Sequence, residues 1–404
     1  MSQKYPGGLI RKTPPTTVGP VDGEGGSAPG IWTLTQALEL NKQGLWPKPT
    51  LLWELYSWGL NSAGQLGQNN TVNLSSPVQV GALTTWSRVA GGRTHTLAIK
   101  TDGALWSWGS GTSGGLGLND TVSRSSPVQV GALVTWSKVA GGDNFSLAVK
   151  TDGALWSWGN NNYGQLGQND TSNRSSPVQV GALTTWYQIA AGYLFSVAIK
   201  TDGTMWSWGT NYNGWLGHND TVLRSSPVQV GGLTTWSQVA AESQSCVAIK
   251  TDGTLWSWGN NAFGQLGQND TVNRSSPVQV GALTTWLRAS AGHFSCFAIK
   301  TDGTLWSWGQ GTNGVLGLGN TANRSSPVQI GALTTWYQVA AGSSNALAVK
   351  TDGTMWSWGN NGAGMLGQNN GIDRSSPVQI GALTGWLRLP TTLCTNSVFA
   401  LKTP

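Results

Sequence analysis

Short apolar segments alternate with polar, glycine-rich segments along most of the chain. In residues 136–180 this pattern predicts four strands, at Trp136–Ala140 (strand A), Ser146–Lys150 (B), Leu155–Trp158 (C) and Pro177–Val180 (D). Thr151-Asp152-Gly153 joins strands B and C, and an Asp-Gly pair favours a tight hairpin because glycine tolerates a positive φ. The segment therefore predicts one four-stranded antiparallel unit.

The unit recurs every fifty residues. Its TDG triplet begins at Thr101, Thr151, Thr201, Thr251, Thr301 and Thr351. A strict period of this length is typical of repeat architectures. C–D halves occur seven times from Tyr56 onward, and A–B halves also occur seven times, the last at Trp386–Leu389 and Ser397–Lys402.

The two unmatched halves at the ends of the array complete one blade. We therefore predict an all-β, seven-bladed β-propeller of four-stranded antiparallel blades, closed by pairing the C-terminal strands with the first N-terminal strands. Closure leaves no exposed sheet edge between the ends of the array. The propeller spans residues 51–404, and residues 1–50 form a separate N-terminal arm.

Tryptophan supports this count of blades. Twenty of the 24 tryptophans fall at three repeat positions, those of Trp58, Trp86 and Trp106. Aromatic side chains bury about 150–250 Å² each, and neighbouring blades cover each other's faces. We expect these residues in the core rather than in a carbohydrate-binding surface.

Charge and cysteine content exclude several classes of function. Only 10% of the residues are charged, and the net charge of +6 is spread thinly along the chain. The sequence has no cationic cluster of the kind that binds nucleic acid. It also has no apolar run long enough for membrane insertion. Cys246, Cys296 and Cys394 lack metal-ligand spacing, so we expect buried thiols and no metal site.

The sequence contains few candidate catalytic residues. Three histidines, His95, His218 and His293, are dispersed, and no nucleophile–histidine–carboxylate arrangement or phosphate loop can be built. Asp102 and its equivalents lie in tight turns, where aspartate has a structural role. We predict a protein that is not an enzyme and needs no cofactor. A propeller enzyme such as a lyase is the alternative to this prediction, and it ranks behind the two main hypotheses given below.

The motif Gly164-Gln165-Leu166-Gly167, followed by a proline and a VAxG segment, resembles the regulator of chromosome condensation repeat. The resemblance covers residues 51–402 and implies a seven-bladed propeller with a shared closing blade. The family's histidine after the Ala-Gly turn remains only at His95. No insertion resembles the nucleotide-exchange wedge of the founding member. The resemblance therefore implies the family's fold for this chain but not its nucleotide-exchange activity.

The copies differ mainly at one end of the blades. The B–C turns (TDG) and D–A connections (VGALTTW) are nearly invariant, and we call their end the turn face. The A–B and C–D loops vary, and we call their end the loop face. Variation on one face of a rigid scaffold indicates a binding surface, with neutral drift as the alternative. The candidate exposed aromatic residues on this face are Tyr163, Tyr193, Tyr212, Trp215, Phe263, His293 and Phe294, whereas Phe145 and Phe195 are expected to point inward.

Arginines of the RSSP motif form a predicted ring near the same rim. Four have an aspartate four residues earlier, as in Asp120 and Arg124, which favours a structural ion pair within the loop. Arg324 and Arg374 follow Asn320 and Asn370 instead. An anion-binding ring is the alternative.

The N-terminal arm has its own pattern. Residues 1–30 are rich in proline and glycine, and a capping box predicts one short helix near residues 34–43. A ten-residue helix needs a surface to dock on, and Ile31, Trp32, Leu38 and Trp46 are the candidate docking residues. The segment resembles N-terminal stretches of tailed-phage virion appendage proteins. The alternative is that it packs on the propeller itself.

These observations lead to two main hypotheses. The first is a phage virion structural or appendage protein, made in the host cytoplasm and present in several copies. Its residues 1–50 bind other virion proteins, and its loop face binds a host-surface glycan or protein. The second is a cellular regulator or scaffold of the chromosome-condensation type that binds a protein partner.

Overall fold

The structure, a computed structural model, describes residues 52–390 and 396–404. Seven four-stranded antiparallel sheets form the blades of a β-propeller, as predicted. The predicted helix near residues 34–43, the docking residues Ile31, Trp32, Leu38 and Trp46, and Cys394 lie outside the described residues.

Each blade runs in the order A-B-C-D. Strand A spans Trp86–Gly91, Trp136–Gly141, Trp186–Ala191, Trp236–Glu242, Trp286–Ala291, Trp336–Ala341 and Trp386–Arg388. Strand B spans His95–Lys100, Phe145–Lys150, Phe195–Lys200, Ser245–Lys250, Ser295–Lys300, Asn345–Lys350 and Ser397–Lys402. Strands A of neighbouring blades contact each other, so strand A is innermost and surrounds the propeller axis.

The outer half of each blade follows the same period. Strand C spans Leu105–Gly109, Leu155–Gly159, Met205–Gly209, Leu255–Gly259, Leu305–Gly309, Met355–Gly359 and Glu54–Gly59. Strand D spans Arg124–Gln129, Arg174–Gln179, Arg224–Gln229, Arg274–Gln279, Arg324–Gln329, Arg374–Gln379 and Leu74–Gln79. Single 3-10 turns occur in three C–D loops, at Thr112–Gly114, Tyr212–Gly214 and Thr312–Gly314.

Strand D begins earlier than the sequence pattern predicts. In the second blade it starts at Arg174 rather than Pro177, and Arg174 lies opposite Gly159 of strand C. The register then shifts before Val178. Proline has no N–H to donate, so Pro177 is accommodated in this irregular stretch rather than in regular pairing.

The closing blade forms as the unmatched halves predict. Its sheet contains Leu74–Gln79, Glu54–Gly59, Ser397–Lys402 and Trp386–Arg388 in that order. The first strand of the array therefore pairs with the last one, from Glu54 opposite Lys402 to Gly59 opposite Ser397.

Two of the three repeated tryptophan positions fill the core between blades, as expected, whereas Trp106 and its equivalents are only partly buried against it. Trp58 and its equivalents have no exposed surface, and Trp86 and its equivalents are at most 4% exposed. The indole of Trp108 donates a hydrogen bond of 2.8 Å to the Gln65 carbonyl of the neighbouring blade. The equivalent bond from Trp58 to the Met365 carbonyl, 2.9 Å long, joins the first and last parts of the array. Both cysteines within the described residues, Cys246 and Cys296, are buried free thiols, as expected.

Candidate functional site

The A–B loops surround a cavity at the loop-face end of the propeller axis. This cavity has a volume of about 320 Å³ and receives residues from six successive A–B loops. The side chain after the Gly-Gly, Ala-Gly or Ala-Glu pair points to this region and differs from blade to blade: it is Arg93, Asp143, Tyr193, Ser243, His293 or Ser343. The ring brings together residues that are fifty positions apart in the sequence.

Backbone hydrogen bonds tie the loops to one another. Arg93 N–H donates to the Gly142 carbonyl (3.0 Å), and Asp143 N–H donates to the Tyr193 carbonyl (3.2 Å). Tyr193 N–H donates in turn to the Ser243 carbonyl (3.0 Å). Because each loop is held by the next, their side chains are positioned before any ligand binds.

Arg93, Asp143 and Tyr193 form one contact group at the cavity. The guanidinium of Arg93 lies 3.2 Å from an Asp143 carboxylate oxygen and 3.4 Å from the Tyr193 hydroxyl. Burial raises the pKa of Asp143, and the neighbouring Arg93 opposes this rise. The Arg93 side chain remains 52% exposed, so part of its charge is available to a ligand.

Glu242 is the second carboxylate of the cavity. Five other blades have glycine at this position. A Cβ on Gly142 would lie 1.9 Å from the ring of Phe145, so the large side chains that begin strand B require glycine there. In the fourth blade the strand begins with the small Ser245, which leaves room for Glu242. Burial raises the pKa of Glu242 to about 8.

His293 contributes a weakly basic ring to the same cavity. Its Nδ1 lies 3.2 Å from the Ser343 hydroxyl, and its ring lies 4.0 Å from the ring of Phe294. Burial lowers the pKa of His293, and the positive charge of Arg93 lowers it further. The His293 ring is therefore neutral near pH 7 and can either donate or accept a hydrogen bond.

Polar side chains without partners lie at the start of strand B near this end. Among the described residues, the Ser245 and Ser295 hydroxyls and the side-chain amide of Asn345 are buried and have no hydrogen-bond partner. His95 at the equivalent position is different: its Nε2 lies 2.9 Å from the Ser146 hydroxyl. An unsatisfied buried polar group costs about 1–3 kcal/mol, so these groups favour water or a polar ligand in this region.

The predicted aromatic residues fall into several groups. Tyr193 and His293 line the cavity. Tyr163 and Tyr212 meet edge to face with ring centroids 6.4 Å apart. The rings of Phe263 and Phe294 are 4.9 Å apart. Tyr212 is the most exposed of these side chains, at 59%.

The prediction that Trp215 is exposed is wrong. Trp215 is 4% exposed and packs against Phe195 and Tyr212 with ring centroids 5.9 Å and 5.8 Å away. Its position in the repeat faces the neighbouring blade, as the buried Gln165 and Gln265 do in other copies. Trp215 therefore belongs to the core. Phe145 and Phe195 are fully buried, as predicted.

The arginine motif forms the predicted ion pairs. The separations are 2.7 Å for Asp120–Arg124, 2.5 Å for Asp170–Arg174, 2.6 Å for Asp220–Arg224 and 2.6 Å for Asp270–Arg274. Each arginine also donates to a carbonyl within its own loop, as Arg124 does to Val122 (2.9 Å). These contacts stabilise the C–D loops.

Sequence reasoning missed the charged residues of the cavity. Arg93 and Asp143 share one repeat position that is neutral in four other copies, and Glu242 stands where five other copies have glycine. These contrasts are the signal that could have found them. Within residues 52–390 and 396–404, no group of three or more histidine, cysteine or acidic side chains is arranged to hold a metal. The same part of the chain contains no helix long and apolar enough to cross a membrane.

Comparison with known proteins agrees with the repeat architecture. The pattern of the regulator of chromosome condensation (RCC1) repeat matches residues 54–99, 102–149, 152–199, 202–249, 252–299, 302–349 and 352–387. A second pattern of the same description matches five segments between residues 86 and 364. These matches begin at residue 54, so the resemblance of residues 1–50 to virion proteins stays a prediction. No curated protein matches the chain.

Several solved structures share the fold. Human WBSCR16 is 22% identical with a TM-score of 0.79, over 87% of this chain and 99% of that one. Prp20p from Saccharomyces cerevisiae is 22% identical with a TM-score of 0.77, over 87% and 92%. Yeast RCC1 (Prp20), in the structure with Kap60, is 21% identical with a TM-score of 0.77, over 87% and 89%. The repeat matches cover most of the chain, which therefore belongs to the regulator of chromosome condensation (RCC1) repeat family.

Proposed function

We propose that this chain is a non-enzymatic binding propeller that recognises a protein partner through its loop face. One observation carries the proposal: side chains that differ between copies, including Arg93, Asp143, Tyr193, Glu242 and His293, meet around a single cavity. The TDG turns at the other end of the blades repeat almost unchanged.

The chemistry of the loop face suits a protein surface. The exposed Arg93, the carboxyl groups of Asp143 and Glu242, and the neutral His293 ring offer both donors and acceptors. Tyr193 and Tyr212, 37% and 59% exposed, add aromatic surface of the kind that is enriched in protein interfaces. Prp20p, which shares the fold, is described with its binding properties to Gsp1p and histones. The likeness to Prp20p shows the fold alone, so the partner of this chain is left to the experiment below.

The copies themselves supply conservative variants for the test. Both positions lie in the third blade. Tyr193→Ser introduces the residue that Ser243 and Ser343 provide in other blades, and Tyr212→Thr introduces the residue that Thr112 and Thr312 provide. Thr112 and Thr312 begin the same 3-10 turn as Tyr212, so this variant fits the local backbone. Leu333→Ala, at a 47% exposed residue of the turn face, is the matched control.

The experiment is a quantitative pull-down with the wild type, the Tyr193→Ser/Tyr212→Thr variant and the control. A specific protein partner should be retained by the wild type and the control, and its recovery should fall about tenfold or more with the double variant, because aromatic anchors carry much of an interface's energy. Equal recovery on all three baits would argue against the loop face as the binding surface.

The virion hypothesis depends on residues 1–50 and makes a separate prediction. If the chain is an appendage protein, removing those residues should abolish its incorporation into particles while leaving loop-face binding intact. A cellular regulator should keep its partner after the same deletion and should not co-purify with particles.

A further inference from the structure

The propeller axis ends at the turn face in a second cavity, of about 510 Å³. Strand A of all seven blades contributes to its wall. The third residue of strand A lines it in every blade. Four of these seven residues are cations, namely Arg88, Lys138, Arg288 and Arg388, and the others are glutamines.

The glutamines have a clear structural role. Gln238 donates from Nε2 to the Ala289 carbonyl (3.3 Å) and accepts from Ala289 N–H (3.2 Å). Gln338 makes the same pair of bonds with Leu389, at 3.2 Å and 3.1 Å. Gln238 and Gln338 thus each satisfy both backbone groups of one residue in the next blade, and Gln188 accepts from Val239 N–H (3.0 Å).

The cations make a different contact, with the carbonyl of the second residue of the neighbouring strand A instead of the fourth. Arg388 donates to the Ser87 carbonyl (3.1 Å), and Lys138 donates to the Tyr187 carbonyl. Neither arginine nor lysine has an acceptor, so neither can receive a bond from the next strand's N–H. A cation at this position is therefore a poorer link between blades than glutamine.

The positive charges also repel one another. Burial lowers the pKa of Lys138 to about 8, and the charge of Arg88 contributes to the decrease. Burial and the same Arg88 charge lower the pKa of Arg388. Arg88 keeps access to water in the cavity, so its own loss of hydration is partial. Within the described part of the chain, no aspartate or glutamate lines this cavity to neutralise the charges.

Arg288 retains unused donor capacity. Its Nε is buried and has no hydrogen-bond partner among the described residues, while its guanidinium lies 4.9 Å from the centre of the Tyr337 ring. A buried donor without an acceptor costs free energy, so an anion that accepts from Arg288 Nε would be stabilised here.

We propose that the turn-face cavity binds a small molecule carrying several phosphate groups, held by Arg88, Lys138, Arg288 and Arg388. Guanidinium groups match phosphate oxygens in pairs of hydrogen bonds, and an enclosed ring of cations suits a polyanion better than a single negative charge. The hydroxyls of Tyr187 and Tyr337, whose side chains are 54% and 42% exposed beside the cavity, add further donors. This site is independent of the loop face.

The test is isothermal titration calorimetry of the full chain with inorganic tripolyphosphate. Arg88→Gln and Arg288→Gln give these blades the glutamine of Gln188 and its equivalents. Arg324→Gln is the control, because it removes one positive charge from the outer rim, where Arg324 follows Asn320 rather than a carboxylate. We expect the wild type and the control to bind tripolyphosphate equally. Arg88→Gln and Arg288→Gln should each bind it about tenfold to a hundredfold more weakly.

Thermal unfolding of the free protein provides a second readout. Arg88→Gln should raise the Tm, because it relieves repulsion and restores the interblade glutamine, and it should reduce the stabilisation that tripolyphosphate gives the wild type. A lowered Tm would show that Arg88 serves the fold. Three results would each overturn the proposal. They are a wild type that does not bind tripolyphosphate, equal weakening of binding by Arg324→Gln, and a short single-stranded oligonucleotide that binds more tightly than tripolyphosphate.

Discussion

At the residue scale, Glu242 shows how one substitution between copies creates a functional group. Five blades place glycine at this position, and the small Ser245 behind it provides space for the carboxyl group. Burial raises the Glu242 pKa to about 8 from an ordinary value of 4.5. The carboxyl group is therefore protonated over a pH range in which exposed carboxylates are charged.

This pKa predicts a pH dependence of stability. The folded protein holds the Glu242 proton up to a higher pH than the unfolded chain, so the contribution of this group to stability falls as the pH rises from about 4.5 to about 8. Glutamine does not titrate. Over this range the free energy of unfolding should therefore fall by about 1–3 kcal/mol less in Glu242→Gln than in the wild type. Urea unfolding between pH 5 and pH 8 measures the difference. Parallel pH profiles for both proteins would contradict the assignment.

Trp215 illustrates a residue whose environment the sequence did not reveal. It lies in a variable loop, but its indole packs between blades and is 4% exposed. We expect Trp215→Ala to destabilise the fold by about 3–5 kcal/mol, because it leaves a cavity in the core. Tyr212→Thr, at the exposed neighbour, should change stability by no more than about 0.5 kcal/mol. Urea unfolding measures both changes in stability. If Trp215→Ala destabilised the fold as little as Tyr212→Thr, Trp215 would be a surface residue.

At the element scale, strand Ser397–Lys402 closes the ring. It pairs with Glu54–Gly59 on one side and with Trp386–Arg388 on the other. Val398, Phe399 and Ala400 are fully buried, so the strand supplies core contacts as well as backbone pairing.

Removal of this strand should open the propeller. We expect a chain ending at residue 396 to aggregate, since both former partner strands become exposed edges. A chain that lacks only Pro404, which is exposed, is the control and should remain folded. Size-exclusion chromatography with light scattering distinguishes the two. A well-folded monomer from the shorter chain would show that closure is dispensable.

At the scale of the whole molecule, the period determined what could be predicted. Identical spacing of apolar positions specified blades, closure and the buried tryptophans, because each repeat must bury its faces against the next. The start of strand D at Arg174 was missed, since Pro177 obscures the pairing before it. Neither cavity was predicted. Arg93, Asp143 and Glu242 meet only because the ring closes, and the cations at the turn face lie within strand A, outside the variable loops.

The central claim is that the loop face is the surface that binds a partner. Amide hydrogen exchange of the chain, alone and with the protein recovered in the pull-down, tests it most directly. We predict added protection in the A–B loops at residues 92–94, 142–144, 192–194, 242–244 and 292–294, and unchanged exchange in the TDG turns. Protection confined to the TDG turns and the VGALTTW connections would contradict the account.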